Sequence, residues 1–361
     1  MNQGYFDAYS PIQAHKHALI KRYLGAWYPK LASWSGKVLY METHAGRGIH
    51  KGGQLGSPLV AIQALFDHPR CAAILAKSEF HFFLMEIEEE FASKLAELVN
   101  AERQDAKVKV HVERCDFAKR LRDELDRMEA AGKVMAPAFV FMDPFGYQIP
   151  LDLVRRLMQH PSCEVMMTFM SQPVARAVKD DSKRGLLDTL YGSDVWRETR
   201  DIDDFEARKE RLLVLYQQAV GAKWTTKLRL TGQTDYTLMH FTNHDEGRAT
   251  MKRTLWAVTE KLGKAGASQL LVKDNPGQGT LIEVDPDLSP LANQLRSDFL
   301  GRSFTHSELI PWLLPLDFLE THLNKVLTAG RKEGWLETEH KKVFGPSMGT
   351  ISMKISGQAL L

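Results

Sequence analysis

The stretch KVLYMETHAGRG (37–48) reads as a buried strand that ends on an acid, Glu42, and turns at once through Thr43, His44, Ala45, Gly46, Arg47 and Gly48. Glycines in such a turn adopt torsions closed to other residues and let a ligand come close to the backbone. In open α/β folds ligands gather at this carboxyl edge of the sheet. A dinucleotide fingerprint is excluded, because its third small residue would fall at position 51, which is Lys51. The next helical pattern, SPLVAIQALF (57–66), starts only near Ser57, so no diphosphate-binding helix end opens from the glycines.

Outward from this turn, FHFFLME (80–86), VKVHVE (108–113), AFVFMD (138–143) and CEVMMTF (163–169) alternate with the amphipathic patterns EEEFASKLAELVN (88–100), FAKRLRDELDRMEAAG (117–132) and PLDLVRRLMQ (150–159). Apolar strands alternating with helices predict a parallel sheet covered on both faces. After a long helical pattern from residue 205 come WTTKLRL (224–230) and DYTLMHFT (235–242), close enough to pair as an antiparallel hairpin. The expected fold is therefore α/β and Rossmann-like: a mostly parallel seven-stranded sheet with an antiparallel last strand, the arrangement of class I methyltransferases. Residues 171–203 interrupt the pattern as an insertion carrying Arg176, Lys179, Lys183, Arg184, Arg197 and Arg200 among several aspartates. It reads as an inserted substrate loop or as a solvated connection.

At 361 residues the chain exceeds the size of a single core, so two folded units are expected. Pro276, Gly277, Gly279 and DPDLSP (285–290) mark the linker, giving domains over 1–275 and 285–361. Hydrophobic residues at 44% and charged residues at 25% exclude disorder, and a net charge of +2 leaves the choice of partner to local clusters. Cys71, Cys115 and Cys163 form no CxxC pair, so neither a metal site nor a disulfide framework is expected, and a reducing cytoplasm fits. Without a signal-like apolar segment or a run of about 18 apolar residues, no membrane association is expected.

In the second domain SPLANQLRSDF, THSELIPWLL and DFLETHLNKVLTAG predict three helices, followed by strands in GWLETEH and TISMKI. That is the order of a winged helix, whose third helix and wing often contact nucleic acid. Arg331, Lys332, Lys341 and Lys342 fall at the third helix end and on the wing. Asp317, Glu320, Glu333, Glu337 and Glu339 offset them, which keeps a protein-docking module as the alternative.

Two further acids converge on the first turn. Glu86 ends the second strand and Asp116 follows the third. S-adenosylmethionine needs one acid for its ribose hydroxyls and another near the adenine. Asp116 suits a helix N-cap as well. The fourth strand delivers Asp143, Pro144, Phe145 and Gly146, similar to the (D/N)-P-P-(Y/F/W) motif of amino-methyltransferases and to the D-P-F-G form of enzymes that methylate N2 of tRNA guanine. There Asp143 and the Pro144 carbonyl would accept the hydrogens of an exocyclic amine, and Phe145 would stack on a flipped-out base. A turn closing a buried strand is the plainer alternative.

On KHALIKRYLGAWY (16–28), YMETHAGRG (40–48), GSPLVAI (56–62), FVFMDPFGYQIP (139–150), the 235–253 block and GRKEGWL (330–336), the chain resembles the three-Cys-motif partner (TcmP) family. Where that family reads D-L-F-A-G-P-G, this chain has Glu42, Thr43, His44 and Arg47. The Thr-His-Ala-Gly run, the GSPLVA segment and the Lys16-His17 pair are also similar to the 23S rRNA adenine-N6 methyltransferase J family. That resemblance implies cofactor contacts from His17, His44, Ser57, Glu86 and Asp116 and a catalytic Asp143. D-P-F-G in place of D-P-P-Y leaves the base open. The expectation is an S-adenosyl-L-methionine-dependent methyltransferase acting on adenine N6 or guanine N2 of a nucleic acid. The rivals are a non-catalytic cofactor-binding protein that docks to a three-Cys-motif protein, and a methyltransferase of proteins or small molecules.

Overall fold

The computed structural model describes residues 9–102, 104–144, 146, 149–231, 236–260, 269–271, 286–338, 344–345 and 350–353. The first unit opens with α1 (Pro11–Ala32), then β1 (Lys37–Glu42), α2 (Ser57–Phe66), α3 (Cys71–Lys77), β2 (Glu79–Glu86), α4 (Glu89–Ala101) and β3 (Val108–Arg114). It continues with α5 (Phe117–Ala130), β4 (Ala138–Met142), α6 (Leu151–Gln159), β5 (Cys163–Phe169), α7 (Ser171–Ala177), α8 (Arg184–Tyr191), α9 (Phe205–Val220), β6 (Trp224–Thr231), β7 (Tyr236–Thr242), α10 (Asp245–Glu260) and β8 (Gln269–Leu271).

The sheet order is β3-β2-β1-β4-β5-β7-β6-β8. Strands β1 to β5 are mutually parallel, while β7 pairs antiparallel with both β5 and β6. This is the Rossmann-like fold of class I methyltransferases, with β8 beside β6 as an eighth strand beyond the seven expected. The central strands β4 and β5 are buried at every residue, which explains the unbroken apolar sequence of β4, while β5 carries Glu164 and Thr168 among its apolar residues. Helix α1, which strand patterns alone do not announce, starts with a Ser10–Gln13 capping box and Pro11 in its first turn. Leu19, Ile20, Tyr23, Leu24 and Trp27 are buried along it, so Lys16 and His17, one turn earlier, lie on the same inward side.

The 171–203 insertion is a packed helical layer rather than a loop. Leu187, Leu190, Tyr191 and Trp196 join one core with Leu212 and Tyr216 of α9. Arg208, itself buried, donates to the carbonyls of Ile202 at 2.6 Å and Ala175 at 3.4 Å. Arg184 and Arg200 both meet Asp181, and Arg197 meets Asp194. Lys179 donates to the Arg200 carbonyl, so four of the six cations read from the sequence are committed within the insertion.

The described residues fall into two compact units that divide within α10, between Thr254 and Leu255. The second unit holds α11 (Ser289–Phe299), β9 (Ser303–Phe304), α12 (His306–Leu313), α13 (Glu320–Lys332), β10 (Leu336–Thr338) and β11 (Ile351–Met353). Its three strands pair in the order β10-β11-β9 over a core that includes Leu291, Leu295, Phe304, Leu323, Leu327 and Ile351. Strand β9, inserted between the first two helices, is too short to leave a periodic trace. The Trp256 indole donates to the Asp317 carbonyl at 2.6 Å and its ring meets His322 at 4.0 Å. Arg331 and Lys332 are exposed in the last turn of α13, whereas Lys341, Lys342 and the 276–285 linker lie outside the described residues. Among the described residues no single helix is long and apolar enough to cross a membrane.

Candidate cofactor and acceptor pocket

The turn after β1 is tied to both neighbouring strands: the Thr43 amide donates to Phe141 at 3.1 Å and the Ala45 amide to Met85 at 2.9 Å. Gly46 and Gly48 have φ of 63° and 79°, in the left-handed region. A Cβ on Gly48 would lie 2.7 Å from a Leu95 methyl. The chain then folds back, the Gly56 amide donating to Gly48 at 2.8 Å, and enters α2 at Ser57. The start of α2 thus comes back against the glycine turn.

Around this turn opens a pocket of about 690 Å³ when its open mouth is included. Of the residues expected from sequence, His17, His44, Gly46, Gly48, Ser57, Glu86 and Asp143 line it together. Glu86 accepts the Gly46 amide at 2.7 Å on one oxygen, and the Ile87 and Glu88 amides at 2.8 and 2.9 Å on the other. Two expected residues take other places. Asp116 caps α5, accepting from the Ala118 and Lys119 amides at 2.8 and 3.0 Å, and does not line the pocket. Glu42 is fully buried behind Ser57, whose hydroxyl is hydrogen-bonded to one carboxyl oxygen at 2.5 Å, while the Tyr40 hydroxyl is bonded to the other at 2.8 Å. Pro144 is buried beside Asp143, and Phe145 lies outside the described residues.

The acceptor end of the pocket centres on an ion pair that sequence reading did not single out. The Lys16 ammonium, 3% exposed, meets one oxygen of Asp143, and the Thr168 hydroxyl donates to the other at 2.5 Å. Burial alone would raise the Asp143 carboxyl, but Lys16 and Thr168 hold it below the usual carboxylate range. The imidazoles are neutral. Burial, helped by Lys16, pushes His17 down to about 3, and burial pushes His44 down to about 4 against the pull of Asp143 and Asp116. His17 bonds Tyr9 through Nδ1 at 3.1 Å, and His44 bonds Thr43 at 2.7 Å. Gln13, His50, Ile87 and Phe91 complete the wall. The signal for Lys16 and Gln13 was their helical spacing from Ile20, Tyr23 and Trp27; Thr168 and His50 carry none, because only the sheet and the folded-back turn bring them in.

No protein-family model and no curated protein sequence matches the chain. Among solved structures, protein LPL1258 from Legionella pneumophila is 14% identical with a TM-score of 0.40, covering 67% of this chain and 91% of its own. Human methyltransferase-like protein 13, solved in complex with SAH, is 13% identical with a TM-score of 0.36, covering 67% and 92%. At these scores the likenesses carry no argument, and the fold rests on the strand order above.

Proposed function

We propose that the protein is an S-adenosylmethionine-dependent methyltransferase acting on an exocyclic amine of a nucleic-acid base. The observation that carries this reading is that Asp143, at the end of β4, lines the same pocket as the glycine turn and Glu86. The residues fit the cofactor: two left-handed glycines line the pocket at the end of β1, and a buried carboxylate, Glu86, stands at the end of the adjacent strand. The Cβ that Gly48 lacks would meet Leu95 and Leu98, so its absence keeps the turn packed on α4. When bound, adenosylmethionine supplies an electrophilic sulfonium methyl. Gly46, Gly48, Ser57 and Glu86 would hold it, and the neutral His17 and His44 add no positive charge beside a cation.

At the acceptor end Lys16 keeps Asp143 ionised, so the carboxylate can accept hydrogens from an incoming amine. Each carboxylate oxygen has two lone-pair sites, and Lys16 and Thr168 take one each, which leaves two for that amine. Fixed in this way, Asp143 would orient the nitrogen and stabilise positive charge developing on it. The Lys16 and Thr168 bonds would equally serve an Asp143 with a structural role, which supports a second reading, a protein that binds the cofactor without transferring its methyl group and docks to a three-Cys-motif partner.

The test is transfer of a radiolabelled methyl group to total RNA, genomic DNA and lysate protein, followed by mass spectrometry of the nucleosides. Label in an N-methylated adenosine or guanosine supports the proposal. Cofactor binding with no transfer to any nucleic acid favours the second reading, and label in protein alone replaces both.

A further inference from the structure

Behind the pocket wall, Glu42 receives two hydroxyls. The Ser57 hydroxyl oxygen lies 2.5 Å from Oε1 and the Tyr40 hydroxyl oxygen 2.8 Å from Oε2, and Glu42 itself has no solvent exposure. The two donors differ in one respect: Ser57 lines the pocket, whereas Tyr40 is sealed among Phe82 and Phe139, with ring centroids 5.7 and 6.2 Å away.

A carboxylate takes both donors as they stand. A protonated Glu42 carries a buried hydrogen that needs an acceptor, and the Ser57 and Tyr40 oxygens are the ones beside it, so satisfying that hydrogen reverses one of the two bonds. Reversal at Tyr40 would strand a buried hydroxyl hydrogen, which is costly. Reversal at Ser57 turns its hydrogen into the pocket instead. The proton on Glu42 therefore decides whether Ser57 shows the pocket a donor or a lone pair.

We propose that Glu42 is a positioning residue acting through Ser57, so that a ligand ammonium seated on the Ser57 hydroxyl binds together with loss of the Glu42 proton. The proposal rests on the cofactor reading, since adenosylmethionine and its demethylated product both carry such an ammonium on their amino-acid tail. The proton leaves to solvent, Ser57 donates to the carboxylate, and the Ser57 lone pair accepts from the ligand. The groups facing Glu42 are Lys16 and Tyr28 of α1, Tyr40 of β1, Ser57 of α2 and Asp143 of β4. In the free protein burial pushes Glu42 up to about 8, against its two hydrogen bonds and Lys16 and helped by Asp143. It thus holds its proton at neutral pH, and a bound ammonium lowers it.

The experiment is calorimetry of S-adenosylhomocysteine binding to the full chain, in buffers of different ionisation heat and across pH. Near neutral pH the wild type is expected to release roughly one proton per ligand, and its affinity to rise by up to about tenfold per pH unit until about pH 8, then level. Glu42→Gln, which has no proton to lose, is expected to bind without proton release and without that slope. Ser57→Ala, which keeps the acid but removes the relay, is expected to flatten the slope and serves if the first variant fails to fold. Binding by the wild type that is proton-silent, or a slope that survives in both variants, overturns the coupling while leaving the cofactor reading intact. No binding at any pH overturns both.

Discussion

Lys16 and Asp143 show how a single buried charge reorganises the meaning of its neighbours. A lysine on an apolar helix face reads from sequence as a stem lying along the surface with its head in water. Here the ammonium is enclosed and its partner is the acid expected to meet the substrate. Removing one member of such a pair leaves the other buried and uncompensated, which typically costs about 3–5 kcal/mol, whereas replacing both with apolar groups is often near neutral. Asp143→Ala is therefore expected to destabilise the protein by about that amount, and much less in a Lys16→Met background. Urea unfolding of the four members of the cycle measures the coupling. Additive effects would mean that Lys16 reaches solvent or another acceptor.

At the level of elements, α5 explains why the third strand-end acid left the pocket. A helix start exposes amides without partners, and Asp116 is placed to accept two of them. Its replacement by alanine is expected to cost about 1 kcal/mol through the missing cap. If capping is its whole work, the affinity for S-adenosylhomocysteine stays unchanged in the same variant. Thermal unfolding and calorimetry on one sample separate the two, and a loss of affinity with no loss of stability would return Asp116 to the binding site. Glu86 differs because it follows an apolar strand and accepts amides from two separate turns, so it stays in the wall while tying the glycine turn to β2.

For the molecule as a whole, the second unit has a helix–strand–helix–helix–strand–strand order around its own core, and binding of nucleic acid by it is a proposal that its exposed cations put to the test. Arg331 and Lys332 project from the end of α13 without burial. Charge reversal at both is expected to flatten the salt dependence of binding to single-stranded RNA, by about 0.7 in the slope of log K against log salt for each phosphate no longer neutralised. A double variant with the wild-type slope would instead assign this unit to protein docking.

The chain's own residues determined the sheet and its carboxyl edge. The apolar run of β4, the largely apolar β5, glycines at 46 and 48, and acids at the ends of β1, β2 and β4 are properties of single segments, and the sequence pattern exposes them. They did not determine which acid lines the pocket. Glu42, Glu86 and Asp116 look alike as strand-end carboxylates, yet one is sealed behind Ser57, one tethers a turn in the pocket wall and one caps a helix. The same holds for the insertion, whose polar sequence concealed Trp196 and the core it shares with α9. Burial and hydrogen-bond partners come from chain segments far apart in sequence: Lys16 reaches Asp143 across 127 residues and Thr168 reaches it across 25. Only packing α1 and β5 against β4 brings those groups together, and that packing made Asp143 an ionised acceptor within the pocket.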